Sequence, residues 1–359
     1  MIEPISMTDD GHPPNSRLRV AAYTGSSTVS SRRFRVLQYI ERLAKLAVDI
    51  DEYVSRWGSW PPISYTKRPF WLAATVLDRI VPIARSFAYD VTLLQRELVS
   101  TLATLERFSH RPRVLDIDDA VWLTSKRACK TFTTLANLSD GIICGNNFIA
   151  ENVPLSSTKK IIILPTPVDT ARFIPAQRKD TNKQIIGWSG LSSGFQYLLG
   201  IEKALLQVIS GRSNVVFRVV SDKKPTFQWL SESMVEYVKW TPTNEVQTIQ
   251  EMTVGLMPID DTLWSRGKCS YKMLLYMSCA IPVVVSPYGM NADVLKYGNV
   301  GFGAATPTEW VEHIKWLLDH PEAAHQIGLN GRQIVEQHYS LDVVAPQMAS
   351  YLKSFRTNS

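Results

Sequence analysis

Short apolar runs alternate with stretches of helical spacing along this chain, and the series starts twice. The first opens at "RLRVAAYT" (17–24), turns polar through "GSSTVSS", and then places Val36, Leu37, Ile40, Leu43 and Leu46 at helical intervals. Further apolar runs follow at "DVTLLQRE" (90–97), "PRVLDIDDAVW" and "DGIICGNN" (140–147). Strands separated by helices pair in parallel, with both faces of the sheet covered. At 165–184, "PTPVDTARFIPAQRKDTNKQ", three prolines and a charged polar run interrupt the pattern, and the spacing predicts a linker there. The series then restarts with "IIGWSG", the helical "YLLGIEKALLQVI", "VVFRVVS", "VGLMPI" and "IPVVVSP". The expected class is α/β, two Rossmann-like domains facing each other across a cleft. Residues 1–16 read as a flexible tail, 17–166 as the first domain, 167–184 as the linker and 185–340 as the second domain. Residues 341–359 read as a terminal helix packing back toward the first domain.

A chain of 359 residues is too long for one ordinary core, which agrees with two domains. The opening "MIEPISMTDDGHPPNS" lacks the positive start and apolar centre of a signal peptide. No apolar run approaches the roughly 20 residues that span a bilayer, so the expected location is cytoplasmic. Cys129, Cys144, Cys269 and Cys279 show neither paired metal-ligand spacing nor a disulfide framework, which suits a reducing compartment. The net charge of +6 is concentrated between Arg17 and Arg113, where sixteen basic residues face eight acidic ones. That bias suits an anionic partner, or a solvated basic face with no specific partner. Nucleic acid is not favoured: zinc spacing, an RNA-binding aromatic signature and a concentrated basic stripe are all missing from the sequence.

The segment "GKCSYKMLLYMSCAIPVVVSP" (267–287) reads as a helix opening near Gly267 or Lys268, between the parallel strands "VGLMPI" and "IPVVVSP". Its start then lies at the carboxyl edge of the sheet, where open α/β sheets bind ligands. A helix N-terminus attracts phosphate, and Lys268 and Lys272 add full charges, so the pair reads as a diphosphate clamp. The plain alternative is two solvated lysines on the outer helix face. A second candidate phosphate loop is "GWSGLSSGFQYL" (187–198), where Gly190 and Gly194 allow close approach and Ser192 or Ser193 can cap a helix. Ordinary turn chemistry explains the same residues.

Together these stretches resemble the glycosyltransferase family 4 type of nucleotide-sugar transferase, which has the GT-B fold. The resemblance covers roughly Arg17 to Phe355 and rests on four segments in order: "SSRRFRVLQYI", "VLDIDDAVW", "PTPVDTARFIP" and "GLMPIDDTLWSRGKCSYKMLLYMSCAIPVVVSPYGMN". The third is similar to the family's P-x-G-V-D-x-x-x-F-x-P. Where the family carries two glutamates with seven residues between them, this chain has Gly267 and Leu275, as in a variant subgroup with a K-C-x-Y-K segment. The resemblance implies an acceptor-binding first domain and a donor-binding second domain. The implied activity is retaining transfer of a sugar from a nucleotide diphosphate sugar to a hydroxyl of a glycan or lipid-linked saccharide, in polysaccharide or glycoconjugate biosynthesis. It implies no cofactor beyond the donor substrate and no metal. The missing glutamates keep a catalytically silent sugar-binding subunit open as an alternative, and a nucleotide-sugar epimerase is a second one.

By the same resemblance Lys268, Lys272, Ser189 and Gly190 hold the donor diphosphate, and Arg32 and Arg35, after the first Gly/Ser loop, meet donor phosphates or an anionic acceptor. An arginine cluster at a helix start opposes the helix dipole, which argues for a ligand or acidic partner; the alternative is a surface cluster. Asp118 and Asp119, at the carboxyl end of a strand, are the catalytic candidates. One would engage the acceptor, while Asp119 is the better placed to cap the helix at "AVW". Finally, "RWGSWPPISYTKRPFWLAATVL" (56–77) mixes aromatics with cations, which suits core packing or peripheral contact at the inner membrane face.

Overall fold

The computed structural model describes residues 17–27, 29–154, 159–177 and 182–356, so the expected tail, 1–16, lies outside the described residues. The chain divides into two compact units. The first runs to Thr166 and takes back the chain from Leu341, and the second spans Pro167–Ser340.

Unit 1 holds β1 (Leu18–Thr24), β2 (Val48–Val54), β3 (Val91–Gln95), β4 (Arg113–Ile117), β5 (Gly141–Cys144) and β6 (Lys160–Ile163). They form one sheet in the order β2-β1-β3-β4-β5-β6, with every neighbouring pair parallel. β3, β4 and β5 are buried at each residue, as expected of strands covered on both faces; the polar residues among them, such as Asp116, are buried with partners. The helical stretch predicted after the Gly/Ser loop is divided into Ser30–Arg35, a tight turn at Leu37–Tyr39, and Ile40–Lys45. This division turns Val36, Tyr39 and Leu43 into the core.

The helix Leu341–Lys353 completes that core, setting Val344, Met348 and Leu352 against the cluster of Leu18, Leu93 and Val114. A Cβ on Gly141 would stand 2.2 Å from the ring of Phe355, so only glycine lets the chain end approach β5. The Tyr351 hydroxyl donates to the carbonyl of Lys160 at 2.5 Å and fixes the helix along the β6 edge.

Unit 2 holds β7 (Gln184–Ser189), β8 (Val215–Ser221), β9 (Val235–Lys239), β10 (Val254–Met257), β11 (Val283–Val285) and β12 (Gly301–Gly303). The order is β12-β11-β10-β7-β8-β9, again parallel throughout. The chain enters at β7, builds outward through β8 and β9, and returns to the other side of β7 with β10. Helices Phe195–Ile209 and Pro307–Asp319 close the core around Ile186, Leu205, Leu256 and Ile314. The second of them begins with a full capping box between Thr306 and Glu309, which satisfies two backbone donors that a helix start leaves open.

The described part of the predicted linker is packed within unit 2. Val168 N donates to the Tyr339 carbonyl at 2.8 Å, and Phe173 is buried. The Arg332 guanidinium donates to the carbonyls of Thr170 (2.9 Å), Ser278 (2.7 Å) and Phe173. A side chain with five donors ties two stretches of backbone together here. Residues 178–181 of the predicted linker lie outside the described residues.

Candidate functional site

In unit 2 the strand order reverses between β7 and β10, and in such sheets ligands bind beyond the carboxyl ends of the strands at that switch point. β7 ends at Ser189 and runs into Gly190; β10 ends at Met257, followed by Pro258, Ile259 and Asp260. The segment after Asp260 corrects the expected start of the crossover helix. Thr262 Oγ1 accepts from Ser265 N at 3.2 Å and starts a short separate turn, Leu263–Arg266. Ser270 then takes a left-handed φ of +49°, a conformation that cannot continue a right-handed helix. The helix therefore spans Tyr271–Ser278, with Lys272 in its first turn and Lys268 on the connection before it.

Two contacts bind this helix to the end of β7. The buried Tyr276 hydroxyl accepts from Ser189 N at 2.8 Å, and burial pushes the phenol's pKa up, so it stays a neutral hydroxyl. The Lys272 stem crosses Gly190: a Cβ there would stand 2.4 Å from Lys272 Cε and 2.8 Å from the Trp188 ring. The Lys272 ammonium lies 5.6 Å from the centre of that ring, a cation–π distance. Ser189, Gly190 and Lys272 are thus brought together at the switch point. The Lys268 ammonium lies 5.0 Å from the centre of the Trp264 ring.

A cavity of about 370 Å³ opens at the carboxyl ends of β10 and β11, lined among others by Gln196, Tyr197, Pro258, Asp260, Ser286 and Tyr288. Ser286 Oγ accepts from Ile259 N at 3.0 Å, joining the two strand ends. The expected capping by Ser192 or Ser193 does not occur. Gly194 occupies the N-cap of Phe195–Ile209 without a side-chain bond, and Ser192 instead donates its N–H (2.6 Å) and hydroxyl (3.0 Å) to Asp222. Burial would raise the Asp222 carboxyl, but these bonds more than offset it and hold its pKa below the usual carboxylate range.

In unit 1, Asp118 and Asp119 follow the carboxyl end of β4. Arg96, at φ +64°, donates to Asp118 Oδ1 at 2.6 and 2.8 Å and to Asp119 Oδ2 at 2.9 Å. Burial would depress the Arg96 guanidinium, yet the two carboxylates raise its pKa above the ordinary value. The capping role expected of Asp119 is not realised: Ala120 holds the N-cap of the turn Val121–Leu123, and no side-chain bond caps it.

Arg35 is 2% exposed in its side chain. It donates to Asp116 at 3.0 Å through Nε and to the Leu164 carbonyl at 2.9 Å, and this carboxylate outweighs burial to keep the guanidinium charged. Arg32 makes two 2.7 Å bonds to Glu52, whose Oε1 also accepts from the Thr24 hydroxyl at 2.7 Å. Both arginines expected at donor phosphates are therefore already bound to carboxylates of their own unit.

Tyr276, Trp188 and Arg96 stand at the candidate sites, and sequence reasoning passed over them. Tyr276 and Trp188 stand inside apolar runs and look like core. The readable signal for Arg96 was a basic residue directly after a strand, two carboxylates ending the next one.

Two parallel, doubly covered sheets, each with an order reversal, make this an α/β protein of the GT-B fold, the fold of nucleotide-sugar glycosyltransferases. Residues 185–320 match the family model described as "Glycosyl transferases group 1". No curated protein sequence matches the chain. Among solved structures it is similar to sucrose-phosphate synthase from Thermosynechococcus elongatus, with TM-score 0.69 and 15% identity over 94% of this chain and 99% of that one. HepE from Anabaena, in complex with UDP and glucose, gives TM-score 0.68 and 13% identity over 94% of this chain and 100% of that one. WaaG, a glycosyltransferase involved in lipopolysaccharide biosynthesis, gives 0.67 and 13% over 93% and 99%. The shared fold and the match over unit 2 together support a glycosyltransferase.

Proposed function

We propose that the protein transfers a sugar from a nucleoside diphosphate sugar to a hydroxyl of a glycan or lipid-linked saccharide, with retention at the anomeric carbon, in polysaccharide or glycoconjugate biosynthesis. The observation that carries this is Lys272 held against Gly190 and Trp188 at the switch point of a Rossmann sheet. A cation fixed there, at the positive end of a helix, suits a diphosphate. The similarity to HepE, solved with UDP, supports that ligand class. The nucleoside would occupy the cavity beside Ser286 and Tyr288.

In the reaction the bond from the anomeric carbon to the donor phosphate oxygen breaks, and its electron pair leaves with the diphosphate. The acceptor oxygen forms the new bond on the same face and gives up its proton to the departing diphosphate oxygen. Lys272, with Lys268, would neutralise the leaving charge, which is transition-state stabilisation by preplaced charge. Ser189 and Gly190 would line the diphosphate. Asp118 or Asp119, oriented by Arg96, would hold the acceptor hydroxyl. Arg32 and Arg35 would act on the donor only by fixing the segment after β1. No cofactor or metal enters, so added chelator should leave donor binding unchanged. The proposed location is cytoplasmic, at the inner membrane face.

A thermal-shift screen against nucleoside diphosphates and their sugars tests the reading, because a ligand that binds only the folded state raises the melting temperature. One base should stabilise the protein, and Lys272→Ala should weaken that ligand by about tenfold or more, as loss of a charge-assisted bond does. A panel without any response, or a response that Lys272→Ala leaves intact, would overturn it. Leu275 favours a second reading, a silent sugar-binding subunit: the position aligned with the family's glutamate is apolar and 5% exposed. Binding without sugar transfer to a cell-extract acceptor would select that reading.

A further inference from the structure

The helix Arg68–Arg85 of unit 1 is built inside out. Its buried residues are Thr75, Arg79 and Ile83, and Arg79 donates to the carbonyls of Tyr53 at 2.7 Å and Thr24 at 2.5 Å. Its outward residues are apolar: Phe70, Leu77, Ile80 and Val81 are 67%, 65%, 47% and 57% exposed. With the exposed Ala73 and Ala84, they fall within an arc of about 100° at 3.6 residues per turn. A helix covering a core in water shows the reverse, with the apolar stripe inward.

The stripe continues into the preceding loop. The Trp57 ring meets Phe70 edge-on at 5.8 Å, and the Trp71 indole N–H donates to the Trp57 carbonyl at 2.7 Å. That docking joins Trp60, Ile63 and Tyr65, which are 68%, 95% and 77% exposed, to the helical face. An apolar surface of this extent on one element marks an interaction site.

Charge selects the occupant. From Arg56 to Ala88 the chain carries five basic residues and one acidic residue, Asp78, whose carboxylate is 4% exposed and paired with Arg56. Lys67 and Arg85 stand exposed near the two ends of the helix. A second copy using the same patch would set cations against cations, whereas an anionic bilayer sets phosphates against them. Exposed tryptophan and tyrosine beside the stripe fit the headgroup level. No helix among the described residues is long and apolar enough to cross a membrane, so the helix would lie in the interface.

We infer that this face docks unit 1 on an anionic lipid bilayer. Phe70, Leu77 and Val81 reach the acyl boundary, and Lys67 and Arg85 meet headgroup phosphates. The inference deepens the proposed location at a membrane face, and it depends on the transferase reading only for why a bilayer would be met.

Sedimentation of the full chain with phosphatidylcholine vesicles, with and without phosphatidylglycerol, tests it. The protein should sediment with the anionic vesicles, less so as salt rises. Leu77→Asp with Val81→Asp should lower that binding at least about tenfold, since both side chains would enter the acyl boundary. Both positions are exposed, so the melting temperature should hold. Lys67→Glu with Arg85→Glu should lower binding to anionic vesicles while leaving the nucleoside diphosphate thermal shift intact. Wild-type protein that stays in the supernatant with both vesicle types would overturn the inference, as would an aspartate variant that sediments like wild type. So would a dimer in gel filtration that the aspartate variant dissolves without any vesicle binding, which would assign the face to a second copy. Vesicle binding without any nucleotide response would fail the transferase reading alone.

Discussion

At the carboxyl edge of the first sheet, cations end in carboxylates: Arg32 on Glu52, Arg35 on Asp116, Arg96 on Asp118 and Asp119. At the switch point of the second sheet, Lys272 lies over an aromatic ring beside a glycine, and a cavity opens at the ends of β10 and β11. The topology is nearly the same, yet the first edge ties its arginines to buried or half-buried carboxylates, whereas the second lays a lysine stem across a glycine and over an indole ring. An arginine cluster in a sequence therefore says less about ligands than a lysine placed where a glycine leaves room. Buried carboxylates such as Asp116 satisfy the first kind of cation before any ligand arrives.

The largest effect that would sharpen this contrast is on stability. Arg35→Ala should cost about 3–5 kcal/mol, because it leaves Asp116 buried without its partner. Chemical denaturation should show that loss, and replacing Asp116 with Leu as well as Arg35 should recover a large part of it. A donor affinity that collapses while stability holds would break the contrast. Next, Gly190→Val should weaken the stabilising nucleoside diphosphate by about tenfold, or ~1.4 kcal/mol, since the new side chain must displace Lys272 or the buried Trp188 ring. Titration calorimetry reads this directly. The smallest expected effect is Arg32→Gln, about 1 kcal/mol in stability from the lost charge-assisted bonds, with donor affinity unchanged. A tenfold loss of affinity there would return Arg32 to the phosphates.

The strands that could be read were the interior ones: β1, β3, β4 and β5 in one unit, β7, β8, β10 and β11 in the other. Four others escaped, and they are the two edges of each sheet. β2 reads "VDIDEYV", β9 reads "VEYVK", β12 is "GFG", and β6 is largely exposed. An edge strand lacks a neighbour on one side and carries charge or brevity as protection, which hides β2, β9 and β12; β6, with three isoleucines in a row, is a short apolar run that the sequence reading passed over. The helix Arg68–Arg85 was also hidden, because its apolar stripe faces away from the core that periodicity assumes. At the candidate site, Gly190 stood out from loop chemistry, Lys272 from its place near a helix start and Ser189 only through the family resemblance, whereas the start of the Tyr271–Ser278 helix depended on the conformation of Ser270, which no local pattern announces.

Unit 1 is discontinuous: its sheet is finished by residue 163, but the helix that covers Gly141 and β6 begins only at Leu341. On the ribosome, the part synthesised first must wait for its last packing partner, while the intervening 174-residue Pro167–Ser340 unit emerges whole and can fold ahead of it. A truncation or fusion at the C-terminal end would thus damage the N-terminal half of the molecule, and removal of residues 341–359 should leave a native second unit beside an unfinished first.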